Sequence, residues 1–334
     1  MSEEQLQKNK ECVWELWQLI RGENAVHIRE RIKPFIDEDI SWQGPHPINL
    51  LKGVDELREH FWQPLFHSFP DIRKEPYIFF GGEYQDTQWI TGTGHYRGTF
   101  LNDWLGIPAT REETTIRFGE FCQMKDGKIR SVYIIFDIPD VTRQAGCDMF
   151  PAPLAQSGFV PGPREGDGIL LDPQDESESA KSLTLVEAML AGLADYDQSG
   201  TFTCMGQDRY WDKEGMLWYG PHGIGTTYGL SGFETYHQRP FLHAFPDRKG
   251  GNHTARFAEG RYAASTGWPS LRATHTGEYL GVPGTGKKIE MRVIDYWKRE
   301  GELLTENWVF IDMIDLFRQM GVDLFERMNS KLDV

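Results

Sequence analysis

Apolar residues recur at helical spacing over residues 4–21, where Leu6, Val13, Leu16, Trp17 and Ile20 fall on one stripe. The chain is therefore predicted to open with an amphipathic helix. A second helical stretch follows at about 25–36, then a short strand at 39–43 that ends at Gly-Pro, then a helix at 54–68. Pro64 lies inside that last stretch, and its missing N–H predicts a kink or break. Beyond it the pattern changes to period two. Strands are predicted at about 75–84, 87–100, 114–124 and 129–137, with Lys-Asp-Gly at 125–127 as a hairpin turn. The order then returns: helix 183–196, strand near 216–219, helix 230–244, and strands near 253–260, 262–278, 288–298 and 302–312, with Arg-Glu-Gly at 299–301 as the turn.

The second half repeats the first. Residues 42–71 and 218–247 align without a gap at an offset of 176, with eleven identities in thirty positions, among them Trp42/Trp218, His46/His222, His67/His243 and Asp71/Asp247. Leu-Gly-Ile-Pro at 105–108 answers Leu-Gly-Val-Pro at 280–283, and 137–146 answers 312–321. The chain reads as a tandem duplication: domain one over 1–146, a linker rich in Pro, Gly and acid over 147–182, and domain two over 183–334. Helices followed by a meander of strands predict an α+β fold, each copy a curved antiparallel sheet with helices on one face and a pocket between them.

His-Thr-Gly-Glu-Tyr-Leu-Gly-Val-Pro-Gly-Thr-Gly-Lys (275–287), Arg-Val-Ile-Asp-Tyr-Trp (292–297) and Glu-Asn-Trp-Val-Phe-Ile-Asp…Arg-Gln-Met-Gly (306–321) resemble the SnoaL-like polyketide cyclases. The resemblance covers most of 183–321 and, more divergently, most of 12–146. It implies two cone-shaped domains of the nuclear transport factor 2-like, cystatin-like kind. It also implies pairing of the two copies within one chain as a pseudo-dimer, and leaves a homodimer open. The superfamily hosts cyclases, isomerases, dehydratases, hydrolases and binding modules, so resemblance speaks for fold before reaction.

Composition narrows the partners. The formal charge is −15 over 334 residues, which argues against nucleic acid and anionic membranes. No apolar run has the length of a membrane helix, and the charged start does not read as a signal peptide. Four scattered cysteines suggest neither disulfides nor a zinc ribbon and fit a reducing cytoplasm. Aromatics make up 13% of the chain, as a wide apolar pocket would need.

Chemistry must come from acids and histidines. The resemblance implies an Asp as general acid/base, matched to Asp312 in copy two and Asp137 in copy one; either could instead cap the helix that follows. Asp295 and Glu120 occupy matching mid-strand positions, where an acid is costly unless it faces a polar pocket or an ion-pair partner. Asp295 beside Asp312 would give two carboxylates with divided roles. His275 is set against Tyr96, by matching Gly277 to Gly98, with Tyr96 rather than His95 facing the pocket. His46 and His222 follow Gly-Pro and could point inward or bond their own loops. Trp308, Trp297, Tyr219 and Tyr279, with Tyr133 and Tyr96 in copy one, are the expected apolar wall. His222, His275, Asp295 and Asp312 have ligand chemistry but no HxH or HxxxH spacing, so no metal and no cofactor are expected.

The expectation is a cofactor-independent enzyme of cyclase or isomerase (lyase/isomerase) type. It would act by acid/base chemistry on an apolar carbonyl compound, with copy two the active one. A hydrolase or dehydratase on the same scaffold, and a non-catalytic small-molecule binder, are the alternatives.

Overall fold

The computed structural model describes residues 3–332. The chain forms two compact units. Unit one runs to Met149 and adds Arg164–Pro173 and the segment from Leu324; unit two is Phe150–Pro163 with Gln174–Asp323.

Unit one begins with α1 (Glu3–Leu19), whose buried stripe is Val13, Leu16 and Trp17 with Asn9 and Lys10. The predicted helix at 25–36 is instead a 3-10 turn (Gly22–His27) and a short α2 (Ile28–Ile32), and the chain is extended again from Ile36. Strands β1 (Ile36–Gln43) and β2 (Leu50–Lys52) lead to α3 (Gly53–Leu57) and α4 (Gln63–Ser68). Between those helices Arg58–Trp62 is a π-turn. The wider turn lets the helix continue through Pro64, so the predicted break is a π-bulge instead. Strands β3 (Arg73–Tyr84), β4 (Thr87–Thr99), β5 (Glu113–Lys125) and β6 (Lys128–Phe136) follow, then α5 (Ile138–Gln144).

Unit two repeats this with α6 (Glu176–Ala194), β7 (Leu217–Tyr219), β8 (Thr226–Tyr228), α7 (Gly229–Phe233), α8 (Arg239–Ala244), β9 (Lys249–Gly250), β10 (His253–Glu259), β11 (Tyr262–Thr274), β12 (Lys288–Glu300), β13 (Leu303–Ile311) and α9 (Met313–Met320). A π-turn at Glu234–Gln238 precedes Pro240, as its counterpart precedes Pro64. Helix α6 starts earlier than its apolar pattern, because Asp175 caps it through Ser177 N and Glu178 N. Helix α10 (Leu324–Leu332) closes the chain within unit one, where Lys331 donates to the Asp148 carbonyl.

The sheet orders are β2-β1-β6-β5-β4-β3 and β10-β11-β12-β13-β7-β8, with β9 beside β11. Most pairs are antiparallel, but β1 joins β6 and β7 joins β13 in parallel. The sheets are therefore mixed rather than wholly antiparallel. A strand that precedes its helices must return alongside the last strand in the same direction, which period-two patterning cannot show. The predicted 147–182 segment is ordered. Ala155 N and Gln156 bond to Ile224 O and Thr226 in unit two, while Phe79 N bonds Gly168 O and Leu170 N bonds Phe79 O in unit one.

Register shows how the copies correspond. Glu120 pairs with Gly92 and Ile134; Asp295 pairs with Ser265 and Val309. The β11 ladder shifts between Gly267 and Leu271, so the offset changes from 173 before that bulge to 175 after it. Thr99 N and Thr274 N both bond the aspartate of their Phe-Pro-Asp turn, Asp71 and Asp247. His275 is thus the counterpart of Phe100, and Tyr96 that of Leu271. The glycine-based alignment of His275 with Tyr96 is corrected by this bulge.

Candidate functional site

In both units the helices cover the sheet face that carries the mid-strand acid. In unit one, Trp17 of α1 meets Phe79 and Phe118, and its indole Nε1 donates to Glu120 Oε1 at 3.1 Å. Lys74 donates to Glu120 Oε2 and lies 3.7 Å from the Trp17 ring centroid and 4.4 Å from that of Phe118. Cys122 Sγ adds a contact to Glu120 at 3.3 Å. Burial holds the Lys74 ammonium below its ordinary value against the pull of Glu120. The cavity beside this pair is about 30 Å³, room for about one water, and Tyr96, Phe61, Trp42 and Trp62 line it with Glu120. Cone one is a closed core around a satisfied ion pair.

Cone two keeps the frame and changes the lining. Trp218 replaces Trp42, and His237 replaces Phe61 and stacks on Trp218 at 4.2 Å. Leu271 stands where Tyr96 fills cone one, and Asn307 where Val132 stands. Lys74 pairs with Tyr96 in register and Gly250 with Leu271, so no ammonium occupies Lys74's place. Asp295 lies deep in the unit yet keeps accessible surface, as His237 does. Burial pushes the Asp295 carboxyl up to about 7, against a hydrogen bond from Asn307 and the more distant charge of Arg256. Burial pushes His237 down to about 3, with help from Arg248, so its ring is neutral in the physiological range.

Thr227 Oγ1, His237 Nδ1, Gln238 Oε1, His275 Nε2 and Tyr279 OH are buried in unit two with no hydrogen-bond partner among the described residues. Each such group costs about 1–3 kcal/mol. Unit one holds comparable atoms at Arg58 Nε, Trp62 Nε1 and Trp89 Nε1, so these groups do not by themselves distinguish the two cones.

The remaining expected residues are placed as follows. Asp312 caps α9, accepting from Asp315 N at 3.1 Å, and pairs with Arg292 at 3.3 Å. Arg292 and Asp295 point to opposite faces of β12, so Asp295 and Asp312 do not form a carboxylate pair. Asp137 sits likewise at the start of α5, 4.0 Å from Arg117. Trp308 pairs in register with Tyr296 and Tyr219, on the face away from Asp295. It stacks on Tyr219 at 5.4 Å and donates to the Pro161 carbonyl at 2.9 Å. Tyr133 pairs with Phe121 on the corresponding face of unit one. These three rings do not line the cones. Trp297 shares the Asp295 face, in register with Asn307 and Trp218.

His222 lies against Ser157 Oγ at 3.5 Å and Phe150 at 6.1 Å, on the linker side of its turn. His46 occupies the matching Gly-Pro-His turn and is half-buried. His275 Nδ1 meets Thr285 Oγ1 at 3.1 Å, and its ring packs 5.4 Å from Phe245. Tyr279 packs on Phe241, Phe245 and Phe317. Both are fully buried at the end of cone two nearest α9. Among the described residues no three His, Cys, Asp or Glu groups come together as a metal site, and no helix is long and apolar enough to cross a membrane.

Sequence reasoning missed Lys74, His237, Arg248 and Asn307. The signal for His237 was present: it faces Phe61 in the gapless 176-offset alignment, a charged-capable ring at an apolar position.

Comparison with known proteins agrees with this geometry. The SnoaL-like polyketide cyclase family matches residues 208–320 and the SnoaL-like domain family matches residues 19–132. No curated protein matches the chain. Similar solved structures include AclR from Streptomyces galilaeus (23% identity, 43% of this chain and 97% of that one, TM-score 0.35). Others are TsrD from Streptomyces laurentii (22%, 42% and 96%, 0.33) and a phenazine biosynthesis-related protein from Pseudomonas aeruginosa (21%, 47% and 96%, 0.34). Each is matched over nearly its whole length by less than half of this chain. With a SnoaL-like match on each repeat and the same strand register around each mid-strand acid, the chain belongs to the SnoaL-like family as a tandem pair of nuclear transport factor 2-like domains.

Proposed function

We propose that cone two is the working site of a cofactor-independent small-molecule enzyme, with Asp295 as its general acid/base. The observation that carries this reading is the contrast between equivalent carboxylates. Glu120 is tied to Lys74 and Trp17, whereas Asp295 has Asn307 as its hydrogen-bond partner among the described residues and a titration point near neutrality. A carboxyl poised there can take a proton from carbon beside a carbonyl and return it to the product. The C–H electrons pass to the carbonyl oxygen as an enolate, and the proton rests on Asp295. Neutral His237 offers one ring N–H toward such an oxygen, and Trp218 with Phe233 supplies an apolar wall. Ring closure or isomerisation of an apolar carbonyl compound needs no more than this. Cone one would then be structural. Four free thiols suit a reducing compartment such as the cytoplasm.

The test is deuterium exchange at the acidic C–H of a panel of aromatic ketones, followed by NMR. The wild type should accelerate exchange, and Asp295→Asn should lose at least a hundredfold while binding the ketone within about tenfold. Binding without exchange in the wild type would replace the enzyme reading with a binder.

A further inference from the structure

The segment after the first helix of each unit is built differently in the two copies. Ile20 N bonds Trp17 O and Asp195 N bonds Gly192 O, while Ile36 and Trp211 pair with the equivalent residues Ile129 and Leu304. Residues 20–36 and 195–211 therefore correspond one to one, and Gly22 answers Asp197. In unit one Gly22 N bonds Ile72 O at 2.8 Å, and a Cβ on Gly22 would stand 1.6 Å from Pro70 O. Glycine alone permits that approach. Asp197 cannot make it. In unit two the Gln198 side chain spans the distance instead, its Nε2 donating to Pro246 O at 3.3 Å. The loop thus stands off from the Phe-Pro-Asp turn, and between them lies an open groove of about 420 Å³. Three positions that face it change character between the copies: Arg21 becomes Tyr196, His27 becomes Phe202 and Gln63 becomes Arg239.

Tyr196 and Phe202 come from the loop, with ring centroids 6.4 Å apart and planes tilted by 35°. Arg239, Leu242 and His243 come from one face of α8. The Arg239 guanidinium lies 5.0 Å from the Phe202 ring centroid and is exposed. Among the described residues that line the groove none is acidic. Asp197 is turned to its own loop, where Oδ1 accepts from Ser199 N at 2.9 Å and meets Cys204 Sγ at 3.5 Å. Glu234 feels the Arg239 charge, but among the described residues no carboxylate comes within ion-pair distance of it. A planar guanidinium fork beside two half-buried rings matches a flat monoanion: a carboxylate can take two parallel N–H bonds while its ring covers the aromatic faces.

We propose that the groove between the loop after α6 and helix α8 binds a small aromatic carboxylate, its ring against Tyr196 and Phe202 and its oxygens on Arg239. Such a ligand does for unit two what the Gly22–Ile72 bond does for unit one, fastening the loop to the turn. Asp295, Asn307, His237 and Trp218 do not line this groove, so the site is separate from the acid/base centre and is tested independently of it.

Calorimetric titration of the intact protein with 2-naphthoate, methyl 2-naphthoate and phenyl phosphate, with hydrogen exchange at saturation, tests this. The acid should bind about tenfold tighter than its ester, the worth of one charge-assisted hydrogen bond. It should slow exchange of the 196–202 amides and leave those of β12 and β13 unchanged. Arg239→Gln, which places in unit two the residue that unit one carries, should remove the preference and keep ester binding. Phe202→Ala should weaken acid and ester alike. Equal binding of acid and ester in the wild type, or a preference that survives Arg239→Gln, overturns the proposal. So does failure of both to bind. Protection that appears in β12 and β13 instead of the loop would put the acid in the cone and overturn the groove, and phenyl phosphate binding tightest would overturn the carboxylate.

Discussion

Asp295→Asn should make unit two more stable, and only at neutral and alkaline pH. The folded carboxyl titrates near 7, whereas the unfolded one titrates near its ordinary 3.8. A carboxyl whose pKa rises on folding leaves the folded state holding the extra proton, so stability is greatest below about pH 4. It falls through the window from about 4 to 7 and is fully lost above it. Three units correspond to about 4 kcal/mol, and the partial exposure of Asp295, which lets water screen the charge, reduces this to about 2–4 kcal/mol. Asparagine keeps the shape and can still accept from Asn307, but carries no charge to desolvate. Urea unfolding at pH 4, 6 and 8, read by hydrogen exchange of the β12 and β13 amides, isolates unit two from unit one. The variant should match the wild type at pH 4 and exceed it by about 2–4 kcal/mol at pH 8. A difference that is flat with pH, or largest at pH 4, would refute the claim that Asp295 is buried without a full counterion. The same substitution should abolish exchange catalysis, so stability and activity would move in opposite directions at one residue.

Unit one should respond in the opposite way to loss of its cation. Lys74→Met strands a buried carboxylate and should cost about 3–5 kcal/mol in unit-one unfolding, while the double change Lys74→Met with Glu120→Leu should recover most of it; a single-site cost under about 1 kcal/mol would show that the pair is not the centre of that core. Asp312→Ala should lower unit-two stability by about 1–3 kcal/mol through the lost α9 cap and Arg292 pair, measured by thermal melting, and leave ketone exchange per folded molecule within about threefold. A hundredfold loss of exchange in the folded variant would return Asp312 to the reaction.

Much of this protein is legible along the chain. The duplication shows because identical turn residues, Gly-Pro-His and Phe-Pro-Asp, must recur wherever the same backbone bends recur. The helix stripes and the two-residue alternation give the α+β order, since side-chain direction repeats every 3.6 or 2 residues. The equivalence of Glu120 and Asp295 also shows, because no gap separates them from the aligned strand ends.

What tertiary structure alone decides is which face each strand turns inward and what the opposite element places there. Trp308 and Asp312 share a face, as period two requires, but that face lies away from the helices, which no local pattern can reveal. His275 cannot be aligned with its counterpart from glycines, because the bulge at 268–270 adds two residues to one copy's strand. The decisive difference between the cones is likewise non-local. Lys74, 46 residues from Glu120, satisfies it across two strands, and Gly250 leaves Asp295 without that partner. A carboxylate's chemistry depends on the charges and solvent that folding brings around it, and those come from residues far away in sequence.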